Sequence, residues 1–131
     1  MENVVKVVVG FLGATASFLF GGWSVLLQIL VLFIALDYLL GVLIAAMHGK
    51  LNSDVGFRGI AKKVIILALV AAGHAIDQII GGGSFVRDAI IFFYLTNELL
   101  SILETVGKTN IPIPTVLKKA IEMLNQKGEG K

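Results

Sequence analysis

The chain has 131 residues, 56% of them hydrophobic and 15% charged, with a mean hydropathy of +0.90. A soluble monomer this small would have to cover its surface with polar groups that this composition does not supply, which leaves a membrane protein as the class. Cysteine is absent, removing disulfide frameworks, thiolate-bound metal and thiol catalysis, and the net charge of +2 comes from scattered Lys and Arg, with no run dense enough to grip nucleic acid.

Residues 7–22 (VVVGFLGATASFLFGG) are apolar throughout but shorter than the roughly 20 residues a spanning helix normally needs. Three readings are open: a span, an interfacial helix, or a cleaved signal sequence in which Lys6 precedes the apolar stretch and Ala14-Thr15-Ala16 resembles a small-residue cleavage site. The apolar character continues past that site. Gly13, Ser17 and Gly21 also recur every four residues, beside a parallel row of Gly10 and Ala14, a spacing that lets membrane helices approach closely. A retained, tightly packed helix over residues 7–20 is the favoured expectation, with these five residues as its contacts.

Residues 23–47 (WSVLLQILVLFIALDYLLGVLIAAM) contain one ionisable side chain and at ~1.5 Å per residue easily cross a hydrocarbon layer of ~30 Å. They form the strongest predicted span. Residues 64–80 are a second, at the short end of the usual range, where Lys62 and Lys63 are expected to run their stems along the helix and place their charges at the inner-leaflet headgroups. Residues 89–106 are the third, with Phe92, Phe93 and Tyr94 as aromatic surface, although Asn97, Glu98 and Glu104 weaken its hydropathy.

The connection 48–63 carries Lys50, Arg58, Lys62 and Lys63, the tail carries Lys108, Lys118, Lys119, Lys127 and Lys131, and the link 81–88 carries only Arg87. The positive-inside rule then places the first two in the cytoplasm and the third outside. Four spans with both termini inside is the leading arrangement, and three spans with the N-terminus outside is the alternative. The fold class is all-α: a membrane domain over residues 1–106 and a basic cytoplasmic tail over 107–131. In the tail, Pro112 and Pro114 end the membrane helix, and Val116, Leu117, Ala120, Ile121 and Leu124 fall at helical spacing. The spacing predicts an amphipathic helix over residues 114–126, with Lys118 and Lys119 near anionic lipid. It either lies on the inner membrane face or packs on another protomer.

Asp37 sits near the middle of its span, where an ionised carboxylate costs about 2.5–3.5 kcal/mol on insertion scales and requires a partner or water. His74 and Asp77 share a face of the next span, and Asn97 and Glu98 lie midway along the third. Aligned by predicted helix ends, Asp37, His74 and Asn97 or Glu98 form one polar layer, with Asp77 nearer the outside. Such a layer fixes helix packing, lines a water-filled lumen, or relays protons. A lone His-x-x-Asp pair has too few ligands for a metal. Gly81-Gly82-Gly83 reads as an outer turn, Arg87 beside Asp88 as a self-neutralising interfacial anchor, and no nucleophile, base and orienting group can be assembled, so neither enzyme activity nor a cofactor is expected.

Several stretches carry a resemblance when read together: Gly21-Gly22-Trp23, Asp37-Tyr38 followed by Gly41, GFRGIAKKV from Gly56, His74 with Asp77, FFYLTNELLSILE from Phe92, and PIPTVLKKAIEML. In this order, over nearly the whole chain, they resemble the phage-lysis and toxin-secretion holin family. The resemblance implies a small multi-pass protein of the bacterial cytoplasmic membrane that forms homo-oligomers and opens a lesion. A muralytic enzyme (endolysin) or a toxin then passes through without necessarily binding it. Two other classes stay open, a small dimeric proton-coupled exporter and a regulatory, anti-holin-like membrane subunit. The exporter scheme calls for one dominant carboxylate early in the chain, and residues 7–20 have none.

Overall fold

The structure, a computed structural model described over residues 1–128, consists of helices α1 (Glu2–Phe20), α2 (Val25–Met47), α3 (Ser53–Ile80), α4 (Phe85–Gly107) and α5 (Thr115–Gly128), and no strand occurs among the described residues. The first four are long and apolar enough to cross a membrane. Local chemistry sets their ends. Ser24 Oγ accepts the Leu27 N–H at 3.2 Å and Asn52 Oδ1 accepts the Val55 N–H at 2.8 Å, each satisfying an orphan donor of a first turn. Gly21 ends α1 in the left-handed region at φ 76°, with its N–H on the Ser17 carbonyl, a conformation that favours glycine.

Three helix starts differ from the sequence expectation, α4 beginning at Phe85 rather than at residue 89 and so shortening the link 81–88 to 81–84. α1 begins at Glu2 rather than at residue 7, and the predicted connection 48–63 contracts to residues 48–52 because α3 begins at Ser53 and runs for 28 residues. Hydropathy marks where a helix crosses hydrocarbon. The polar turns of α3 before residue 64 hold no helix breaker stronger than Gly56 and Gly59, and the Asn52 cap starts the helix ahead of them.

α4 is the organising helix, packing on α2, α3 and α5, whereas α1 packs chiefly on α3. The core combines Leu27, Leu30 and Ile34 of α2, Ile66 and Val70 of α3, Ile91, Leu95 and Leu99 of α4, and Ile121 of α5. These positions repeat every three or four residues, one inward stripe per helix. α5 folds back on α4 of its own chain, burying Ile121 and half-burying Leu124, while Lys118 and Lys119 face outward.

The four long helices run alternately up and down. One end of the bundle gathers the loops 48–52 and 108–114 with Lys50 and Lys108 and is called the basic end below. The other gathers loops 21–24 and 81–84, where Gly21, Gly22, Gly81, Gly82 and Gly83 all have positive φ, and is the glycine end.

Candidate functional site

The expected single polar layer resolves into two separate sites. The first lies inside the bundle. Asp37 and Lys63 are each ten residues from the ends of α2 and α3 that meet at the basic end, and Glu98 is nine from the end of α4, so all three stand roughly 15 Å in from that end. Lys63 Nζ donates to Asp37 Oδ2 at 2.5 Å and to Glu98 Oε1 and Oε2 at 3.0 and 2.9 Å. The carboxylates are buried and the ammonium nearly so. Three helices are thereby tied by one cation at mid-depth, a level where lipid offers no hydrogen-bond partner.

Lys63 corrects the expectation that both neighbouring lysines reach the headgroups: Lys62 is exposed, but Lys63 turns inward. Its flexible stem permits either direction, and the buried Asp37 and Glu98 decide it. Small residues make the approach of α2 to α3 possible. Tyr38 Oη donates to the Gly56 carbonyl at 3.3 Å, and its ring lies so close to Gly59 that a Cβ there would stand 3.0 Å from Cε1. Gly56, Gly59 and Lys63 share one face of α3. They receive the Asp37-Tyr38 pair of α2 beside a cavity of about 210 Å³ that also touches Gly41, Ser101 and Thr105.

The second site closes the glycine end. His74 is eleven residues farther along α3 than Lys63, or about 16 Å, which separates it from Asp37 and Glu98. Asp77 accepts the backbone N–H groups of Val86 and Arg87, both at 2.9 Å. It therefore caps the N-terminus of α4, where a carboxylate satisfies orphan donors and complements the helix dipole. Arg87 pairs with Asp88 at 2.9 Å, but it is buried and not a headgroup anchor, and its Nη1 donates to the Phe20 carbonyl at 2.8 Å. The end of α1 is thus tied to the start of α4. The His74 ring fills the space beside Gly21, where a Cβ would stand 2.7 Å from it. An open cavity of about 970 Å³ between α1 and α3 is bordered by Ser17, His74, Gln78 and Arg87.

Asn97 joins neither site. It is exposed on the outer face of α4, while its neighbour Glu98 is buried. Of the small residues on α1, Gly21 makes a close approach within the chain. A Cβ on Gly10 or Gly13 would meet nothing within 4 Å, Ala14 and Ser17 are exposed, and Ala16 is the residue that α1 buries. The row at 10, 13, 14 and 17 is therefore not a contact inside the protomer. Among the described residues, no group of three or more His, Cys, Asp or Glu side chains converges on a metal-sized site.

A family model described as the bacteriophage holin family matches residues 14–126, from the middle of α1 into α5. An uncharacterized protein of Listeria innocua is 47% identical over 128 residues, covering 97% of this chain and 91% of that protein. An uncharacterized 14.9 kDa protein of Clostridium perfringens is 37% identical over 131 residues, covering 97% and 99%. A protein of Bacillus phage phi105 named "Probable holin" is 30% identical over 115 residues, covering 88% of this chain and 84% of its own length. No solved structure matches. With four apolar helices of spanning length and a match through 86% of its residues, this multi-pass membrane chain belongs to the bacteriophage holin family.

Proposed function

We propose that the protein acts as a holin: it assembles as a homo-oligomer in the bacterial cytoplasmic membrane and opens a lesion through which a muralytic enzyme or a toxin leaves the cytoplasm. The observation that carries this reading is the family match over residues 14–126. The geometry supplies compatible parts. α1 leaves its Gly10, Gly13, Ala14 and Ser17 row open for another helix, the pattern on which membrane helices associate closely. Inside one protomer a single ammonium, Lys63, is shared by the two carboxyl groups of Asp37 and Glu98. The same three side chains tolerate water if α2, α3 and α4 separate, so a closed bundle and an open, wetted assembly are both chemically accessible.

The positive-inside rule favours the basic end as cytoplasmic, which would put the C-terminus there and the glycine end outside. The passenger needs only an opening and no binding surface. The test is inducible expression in a bacterium that also makes a cytoplasmic muralytic enzyme, following membrane potential and cell turbidity. Abrupt depolarisation followed by lysis is expected. Resistance to a toxic compound without depolarisation would replace the holin reading with an exporter, and silence in both readouts would leave a regulatory subunit.

A further inference from the structure

Asn97 lies near the middle of α4, ten residues from its end and twelve from its start, one residue from the buried Glu98 and at the same depth as the ion network. Its side chain nevertheless faces outward, and its amide makes no hydrogen bond among the described residues. In hydrocarbon that is an unstable placement, because lipid supplies neither donor nor acceptor. Phe93 and Leu100, 57% and 45% exposed, and the exposed Glu104 share the face. Positions 93, 97, 100 and 104 are spaced four, three and four apart, the spacing of a two-helix seam with a polar residue inside it. Beside the seam an apolar cavity of about 370 Å³ is lined by Leu69, Ala89, Ile90, Phe93 and Tyr94.

We propose that this outward face of α4 is a contact between two copies of the chain lying parallel in the membrane, with their Asn97 amides hydrogen-bonded to each other. The depth argument selects a second copy as the occupant. A carboxamide both donates and accepts, so it is its own complement, and a parallel copy necessarily presents an Asn97 at this level. The same copy brings a Phe93 level with the cavity. The proposal rests on the homo-oligomer reading given above and names the surface that it uses. It also differs from the small-residue row of α1, so a protomer would have two faces for its neighbours.

The chain lacks cysteine, so single cysteines can be placed at will. Oxidative crosslinking in native membranes should give disulfide dimers at Asn97→Cys and Leu100→Cys well above those at Leu36→Cys, an exposed position on α2 at similar depth. With Leu100→Cys as reporter, Asn97→Leu, which makes α4 more apolar and preserves insertion, should lower the dimer fraction about fivefold, as loss of one interhelical hydrogen bond would. Asn97→Gln should retain most of it. Equal crosslinking at positions 36, 97 and 100, or an Asn97→Leu dimer fraction equal to the parent's, would overturn the interface. Depolarisation in the same cells separates the two readings. Crosslinks along the seam without depolarisation would sink the holin reading and keep the interface, and depolarisation without seam crosslinks would do the reverse.

Discussion

Replacing Lys63 with Met keeps much of the stem and removes the charge, leaving two carboxylates facing each other between α2 and α4. The parent lysine makes one bond to Asp37 at 2.5 Å and two to Glu98 at 3.0 and 2.9 Å, and all three side chains are largely sequestered. Removing one member of a buried ion pair typically costs about 3–5 kcal/mol, and a loss in that range is expected here because Lys63 is the cation shared by both carboxyl groups. Asp37→Asn should cost less, about 1–2 kcal/mol, because the two-oxygen bond between Lys63 and Glu98 survives and the amide still accepts. The triple variant Lys63→Met, Asp37→Asn, Glu98→Gln has no uncompensated charge and should recover most of the loss. Reversible unfolding in mixed detergent and SDS micelles, followed by circular dichroism, measures all three. A Lys63→Met protein within about 1 kcal/mol of the parent, or a triple variant no more stable than Lys63→Met alone, would refute the reasoning.

Asp77→Ala removes both acceptors from the first turn of α4 and should destabilise the protein by about 1–2 kcal/mol in the same unfolding experiment, with Asp77→Asn closer to the parent. Gly59→Val would drive a side chain into the Tyr38 ring and should cost about 1–3 kcal/mol; adding Tyr38→Ala should return part of it, as a double-mutant cycle would register. For topology, an impermeant thiol reagent on intact, energised cells should label Ser84→Cys and spare Ser53→Cys. The opposite pattern would invert the orientation, and labelling of Asn3→Cys would select three spans over four.

The helices were legible where apolar runs are long, since ~20 such residues have few other destinations. Residues 25–47, within the predicted 23–47, are the clearest case; α4 was legible over 89–106 even though Asn97, Glu98 and Glu104 weaken its hydropathy. The start of α3 was not legible, because Asp54, Arg58, Lys62 and Lys63 lower the hydropathy of a segment that is helical from its Asn52 cap. Aligning α3 by an end at residue 64 raised His74 to the level of Asp37, whereas the full helix puts Lys63 there. Asp37 and Glu98 were identifiable singly as carboxyl groups in apolar surroundings, but the cation that joins them was not, because a lysine stem reaches headgroups and neighbouring helices equally well. Asn97 and Glu98 are adjacent in sequence, yet about 100° apart around the helix, so the chain sends one outward and the other into the core. The second acceptor role, Asp77 on the N-terminus of α4, depends on the tight 81–84 turn and has no local signature.

The most direct test of the central claim uses the purified protein and a lipid vesicle. Vesicles of bacterial lipid composition, loaded with a small dye and with a folded fluorescent protein, are mixed with protein at increasing protein-to-lipid ratio, and escape of each cargo is followed. The account predicts a threshold ratio above which both leave together, because a lesion built from many copies passes a folded protein. Release of neither cargo at any ratio, or escape of the dye alone with the fluorescent protein retained throughout, would contradict it.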